Sequence, residues 1–268
     1  MDLADLEKRY RAYVDAYRGA DGRLPLMMEL KLVHTFKVAE NSREIARGEG
    51  FSPHETELAL AAAILHDAGR YEQLKKYGTF RDSDSVDHAA FSRKVAEEQG
   101  WTAAWTPEDR RTVLEAVLHH NKRDVPPDLS PAEAKIAHSV RDADKLDIFR
   151  VTEERAADGD WRNGASTAFW GLAPAERPSP EIVAAILESR PADYRHVRSL
   201  PDFVILQAGW MSSGLHFATS RRLCARRGHL EFRERFLREI TGPSGRADVD
   251  AVCAKAAEAL AAAEREAR

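Results

Sequence analysis

Apolar positions recur along this chain at spacings of three and four, and no stretch alternates strictly between apolar and polar residues. That pattern predicts helices and no sheet, so the expected fold class is all-α. Leu3, Leu6, Tyr10, Tyr13 and Tyr17 make one stripe, which should lay a first helix on a core. Four segments open with a hydroxyl residue, then Pro, then an acid: Ser52-Pro53-His54-Glu55, Thr106-Pro107-Glu108-Asp109, Ser130-Pro131-Ala132-Glu133 and Ser179-Pro180-Glu181. A hydroxyl at the N-cap accepts from an orphan backbone N–H, Pro at the next position loses no bond, and an acid suits the positive helix end. The first and third also fit the capping box. With Gly19, Gly48, Gly69, Gly100 and Gly228 read as stops, helices are predicted at about 2–18, 24–47, 53–67, 85–99, 107–121, 131–150, 180–189, 202–227 and 247–267.

Between about 151 and 201 the chain is rich in Pro, Gly and aromatic residues, among them Trp161, Phe169 and Trp170. It reads as an irregular packing loop, with a lid as the alternative. The Ala-rich tail favours a helix lying over the domain or making a subunit contact. No repeat or low-complexity linker interrupts the chain, so one domain is expected over 1–268, with a core at about 25–150 and a helical extension beyond it.

Composition narrows the function classes. Lys plus Arg number 40 and Asp plus Glu 44, a net charge of −4, and 43% of residues are apolar. Such a chain is globular, and it lacks the overall positive field that would hold a nucleic-acid polymer. Cys224 and Cys253 match no metal or redox spacing and read as thiols of a reducing compartment. The N-terminus is charged from Asp2 onward and offers no apolar signal or anchor segment, so a cytoplasmic protein without a membrane partner is expected. The predicted helix at about 202–227 offers a surface for a homodimer.

The candidate chemistry lies in the histidines. His34, His66, His88, His119 and His120 fall within or at the ends of predicted helices, beside the pair His66-Asp67 and the run Asp142-Ala143-Asp144. Imidazole and carboxylate suit first-row transition metals such as Mn, Fe, Co, Ni or Zn. His66-Asp67 ends an apolar helix wall, where an uncompensated buried carboxylate is expensive. Neighbours on a helix point about 100° apart, so the pair suits one metal from one side, or two if the carboxylate bridges.

The order His34, His66-Asp67, Asp144 resembles the signature of the HD-domain superfamily of metal-dependent phosphohydrolases, and the ADKL text favours Asp144 over Asp142 as its last ligand. The stretch HDAGRYEQLKKYGTFRDSDSVDHA is similar to a bacterial subgroup with HDIGRFEQ-like text followed by SVDHA. The resemblance runs from about residue 25 to 150. It implies that His34, His66, Asp67 and Asp144 hold one divalent metal, and that Asp67 bridges to a second held by His88 and either His119 or His120. His120, before Asn121, fits slightly better. The chain reads NKRDVPPD after the paired histidines, without the Gly-Tyr-Pro element of cyclic-di-GMP phosphodiesterases. The implied activity is hydrolysis of a small phosphate ester, a nucleotide for preference, by a metal-bridging hydroxide. Asp67, Arg70 and Lys145 are the expected catalytic residues, the two cations as phosphate contacts, with Arg81, Lys122 and Arg123 behind them. Tyr71, Tyr77, Phe80 and Trp161 are candidates to stack a base. Two alternatives share the ligand set: a di-iron oxygenase of the same fold, and a non-catalytic nucleotide-binding module.

Overall fold

The computed structural model describes residues 2–164, 166 and 168–266, and among these it contains no strand beyond an isolated bridge between Ala175 and Thr241. The all-α expectation is met. Contacts divide the chain into two compact units, one ending at Asp144 and the next beginning at Lys145, within one continuous helix.

The first unit comprises α1 (Leu3–Asp15), α2 (Leu26–Gly48), α3 (Pro53–Leu65), α4 (Gly69–Tyr77), α5 (His88–Glu98), α6 (Pro107–His119) and the start of α7 (Pro131–Ala157). α3 is its axis, packed on α1, α2 and α6. Every residue from Leu58 to Leu65 is buried, as a helix apolar on all sides requires. It starts on the anticipated capping box: Glu55 N donates to Ser52 Oγ at 3.2 Å and Ser52 N to Glu55 Oε2 at 2.8 Å. Ser130 and Glu133 repeat the arrangement for α7, and Thr106 caps α6 through Asp109 N. Each such cap stabilises by about 1 kcal/mol. α2 is tied to α7 by Asn41 Nδ2, which donates to Ala143 O at 3.0 Å, and by the Ser42–Ser139 hydroxyl pair. Of the first stripe, Leu6 and Tyr10 are buried, with Val14 beside them.

Two local readings need correction here. Gly69 does not stop a helix; it opens α4, and a Cβ on it would lie 2.6 Å from Ser92 N of α5. The glycine serves close packing. The helix expected from about 85 begins at His88, because Asp87 takes the N-cap by accepting from Ala89 N at 3.1 Å, and Asp82–Asp84 form a short 3-10 turn before it.

The second unit holds the rest of α7, then α8 (Pro180–Leu187), α9 (Leu200–Gly209), α10 (Ala218–Arg226), α11 (His229–Ile240) and α12 (Arg246–Arg265). α12 packs on α8 to α11 and buries Val249, Val252, Cys253, Ala256, Leu260 and Ala263. The tail expected to residue 267 is a helix to Arg265, and position 267 lies outside the described residues. The single helix expected at about 202–227 is instead α9, a π-helical turn Trp210–Gly214 and α10. α11 went unanticipated, and α7 runs past 150 to Ala157. Ser179 holds the N-cap position of α8, as expected, but its hydroxyl makes no capping bond and is turned toward Asp202 Oδ2 at 3.0 Å and His196 O at 3.1 Å. The 151–201 aromatics pack within the unit: Trp161 on Phe236, and Phe169 on Phe203 and Phe236. Both cysteines are buried thiols.

Candidate metal centre

A helix ends with four carbonyls that lack intrahelical partners. His66 is the C-cap of α3 and His120 the C-cap of α6, and each turns its ring back on its own helix. His66 Nδ1 lies 2.7 Å from Ala63 O and His120 Nδ1 2.7 Å from Val117 O. A carbonyl only accepts, so both Nδ1 atoms donate and both Nε2 atoms present a lone pair. His88, at the first turn of α5, reaches the same state through a carboxylate, with its Nδ1 2.5 Å from Asp82 Oδ2. Two helix C-termini thus meet at one place, and their partial negative charge favours a cation there.

The Nε2 atoms converge in two groups on either side of Asp67. On one side His34 Nε2 lies 3.1 Å from Asp144 Oδ1 and 3.3 Å from His66 Nε2. Asp67 Oδ2 completes this group, 3.6 Å from His34 Nε2 and 3.5 Å from His66 Nε2. On the other side His88 Nε2 and His120 Nε2 are 3.1 Å apart, with Asp67 Oδ1 3.7 Å from the first and 3.8 Å from the second. All except Asp144, which is partly exposed, are buried.

Electrostatics favour neutral imidazoles and an ionised Asp67. Burial pushes His66, His88 and His120 below the ordinary histidine value. Against the upward push of burial, Lys31 first, then His66, Arg70 and His88, hold Asp67 well below the usual carboxylate range. Lys31 Nζ donates to Asp67 Oδ2 at 2.6 Å, and Arg70 Nε stands 3.4 Å from Oδ1. Asp67 Oδ1 is nevertheless buried with no hydrogen-bond partner. Two facing lone pairs, a carboxylate oxygen without a donor and surroundings that resist protons are what a divalent transition metal satisfies, so the residues present fit such an ion.

The other expected residues are placed differently. His119 stays out of the group: its Nε2 lies 3.2 Å from Glu115 Oε2, because the neighbour of His120 points about 100° away around the helix. Arg70 Nη1 is committed to Gln73 Oε1 at 2.7 Å, Phe80 O at 2.8 Å and Asp82 Oδ1 at 3.1 Å. Lys145 follows Asp144 in sequence but belongs to the second unit, where its ammonium stands 5.7 Å from the centre of the Trp210 ring. Lys122 is paired with Asp87, and Arg81 with Asp84 at 3.8 Å. Arg123 O accepts from Arg141 Nη2. Tyr71, 1% exposed, packs among Tyr10, Tyr13 and Tyr17 and has no face left for a base. Tyr77 is exposed, and Trp161 lies in the second unit. Phe80 stands beside the site, its ring centre 5.7 Å from Lys31 Nζ and 5.5 Å from Arg70 Cζ.

Sequence reasoning passed over Lys31 and Asp82. Lys31 had a legible signal, lying one helical turn before His34 and so on the same side of α2. Asp82 had none, since it sits in an acidic run between helices.

Residues 32–149 match the model of the HD domain. No match was found among curated proteins or solved structures. Among the described residues, no helix is long and apolar enough to cross a membrane. The matched segment runs from α2 into α7 and contains all six residues gathered around the two groups, and this segment of the chain is an HD domain.

Proposed function

We propose that the protein hydrolyses a small phosphate ester, a nucleotide by preference, with two divalent metal ions held on either side of Asp67. One observation carries this reading: His88 Nε2 and His120 Nε2 face each other at 3.1 Å, with both Nδ1 atoms already donating, next to an Asp67 Oδ1 that nothing donates to. His34, His66, Asp144 and Asp67 Oδ2 would hold one ion, and His88, His120 and Asp67 Oδ1 the other. Ions so held supply Lewis acidity and a hydroxide nucleophile at neutral pH.

The chain's own groups do the rest. Asp67, kept ionised between Lys31 and Arg70, cannot serve as a proton donor near pH 7 and acts as a fixed anionic bridge. Lys31, whose ammonium stands 2.6 Å from Asp67 Oδ2, nearer than Arg70 Nε stands to Oδ1, is assigned to the phosphoryl oxygens. Phe80, flanked by two cations, is assigned to the remainder of the substrate; a base stacked there gains on the order of 1–3 kcal/mol. The preference for a nucleotide rests on superfamily analogy.

Phosphate release is the test. Chelator-stripped protein, resupplied with Mn²⁺ or Co²⁺ without oxygen, should release phosphate from at least one member of a panel of nucleotides and sugar phosphates, and Asp67→Ala should be silent. Silence from the wild type, with tightly held iron and oxygen uptake, would replace hydrolysis by oxygen chemistry.

A further inference from the structure

Three histidines of the site show what fixes their Nδ1, and one differs from the others. His66 and His120 lean on carbonyls of their own helices, Ala63 O and Val117 O. Those acceptors persist as long as α3 and α6 do. His88 leans on a side chain from the segment between α4 and α5: Asp82 Oδ2 accepts from its Nδ1 at 2.5 Å and from its backbone N–H at 3.3 Å.

That carboxylate is held in turn. Asp82 Oδ1 accepts from Arg70 Nη1 at 3.1 Å and from Gln73 Nε2 at 3.1 Å. Gln73 is fully buried, and its amide also donates to Ser85 Oγ at 2.9 Å and Val86 O at 3.1 Å. Gln73 Oε1 accepts from Arg70 at 2.7 Å, which closes the clamp. Two residues of α4 therefore pin the 80–86 segment, and the pinned segment presents Asp82 to His88. A carboxylate on the far nitrogen of an imidazole fixes the tautomer and ring orientation and makes the ligating nitrogen more basic.

We infer that Asp82, clamped by Arg70 and Gln73, is a positioning residue for His88, so that the second ion position alone depends on the segment between α4 and α5. The first position draws on α2, the end of α3 and α7, none of which needs this segment. Arg70 thus acts through Asp82 rather than on the substrate. The inference rests on the two-ion reading proposed for the site.

The test is a Mn²⁺ titration of the chelator-stripped full chain, followed by electron paramagnetic resonance and metal analysis. The wild type should take up two ions, the six-line signal of the first giving way to a coupled spectrum with the second. In Asp82→Ala the first ion should bind as in the wild type and the second about 10- to 100-fold more weakly, leaving the isolated six-line signal. Asp82→Asn keeps an acceptor for His88 Nδ1–H but no charge, and should fall between the two. Two ions bound at wild-type affinity in Asp82→Ala, or equal loss of both, overturns the inference. Should Asp82→Ala not fold, an unchanged second affinity in Asp82→Asn does the same. A wild type that saturates at one ion sinks the two-ion reading itself, and that failure is seen before any variant is made.

Discussion

A histidine that caps a helix can satisfy a stranded carbonyl with one nitrogen and leave the other free to ligate, and His66 and His120 both set Nδ1 on such a carbonyl and turn Nε2 into the site. That mechanism separates the two histidines at the end of α6. His120 turns inward onto Val117 O, whereas His119 lies beside Glu115. Metal analysis should therefore find His120→Ala reduced from two ions per chain to one, with His119→Ala unchanged; the reverse result would move the ligand by one position. The sequence text AVLHHN left this pair open, because the choice depends on where the helix stops, and helix ends are read only to within a residue or two. His34, His66, Asp67, His88 and Asp144 were legible from their order together with the resemblance to the HD signature, and they are brought together. Arg70 shows the limit of such reading. Its place after the ligand pair suggested a phosphate contact, yet its guanidinium is engaged by a segment whose path no local pattern specifies.

At the scale of elements, capping chemistry was the most reliable guide, since a hydroxyl, a proline and an acid in sequence act within one turn. It located the starts of α3, α6, α7 and α8. Glycine misled, because a stop and a close contact look alike in sequence. Gly69 lets α4 approach α5, and its own N–H donates to the buried Ser92 Oγ at 2.9 Å. Gly69→Ala should accordingly destabilise the protein by about 1–3 kcal/mol, read from urea unfolding, as overpacking against backbone does. A loss below a few tenths would mean that α4 shifts freely, and the clamp on Asp82 would then lose its foundation. Ser179 marks the start of α8 without making the capping bond: Asp202, twenty-three residues on, turns its hydroxyl away from the helix's first N–H groups. The break of the expected 202–227 helix has a signal in Ser212-Ser213-Gly214, but the apolar run of the wholly buried α9 continues into Trp210 and Met211 of the π turn and masks it.

Over the whole molecule, the HD signature fell where the resemblance placed it, in residues 32–149, while the second unit carried no motif to read. Its stability can still be probed through a buried polar group. Arg233 is fully buried and donates to Glu153 Oε1 at 2.7 Å, and His229 Nδ1 lies 2.6 Å from the same oxygen. Burial would raise the Glu153 carboxyl, but His229 and Arg233 hold it below the usual value, and burial pushes His229 below its own. Both groups take up protons more readily in the unfolded chain. Their contribution is therefore complete at neutral pH, begins to fall as the pH drops past the ordinary histidine value of about 6.5, and shrinks further through the carboxylate range. Glu153→Gln should lower the melting temperature at pH 7, since it leaves Arg233 without its ion-pair partner, and should flatten the decline of Tm between pH 7 and 4. A wild-type slope in that variant would assign the acid sensitivity elsewhere. The central claim is that Asp67 is shared between two ion positions, and anomalous diffraction from a Mn²⁺-loaded crystal addresses it most directly. Two peaks are predicted, one against His34, His66, Asp144 and Asp67 Oδ2, the other against His88, His120 and Asp67 Oδ1. A single peak, or a pair that leaves Asp67 bound to one ion only, would contradict the account.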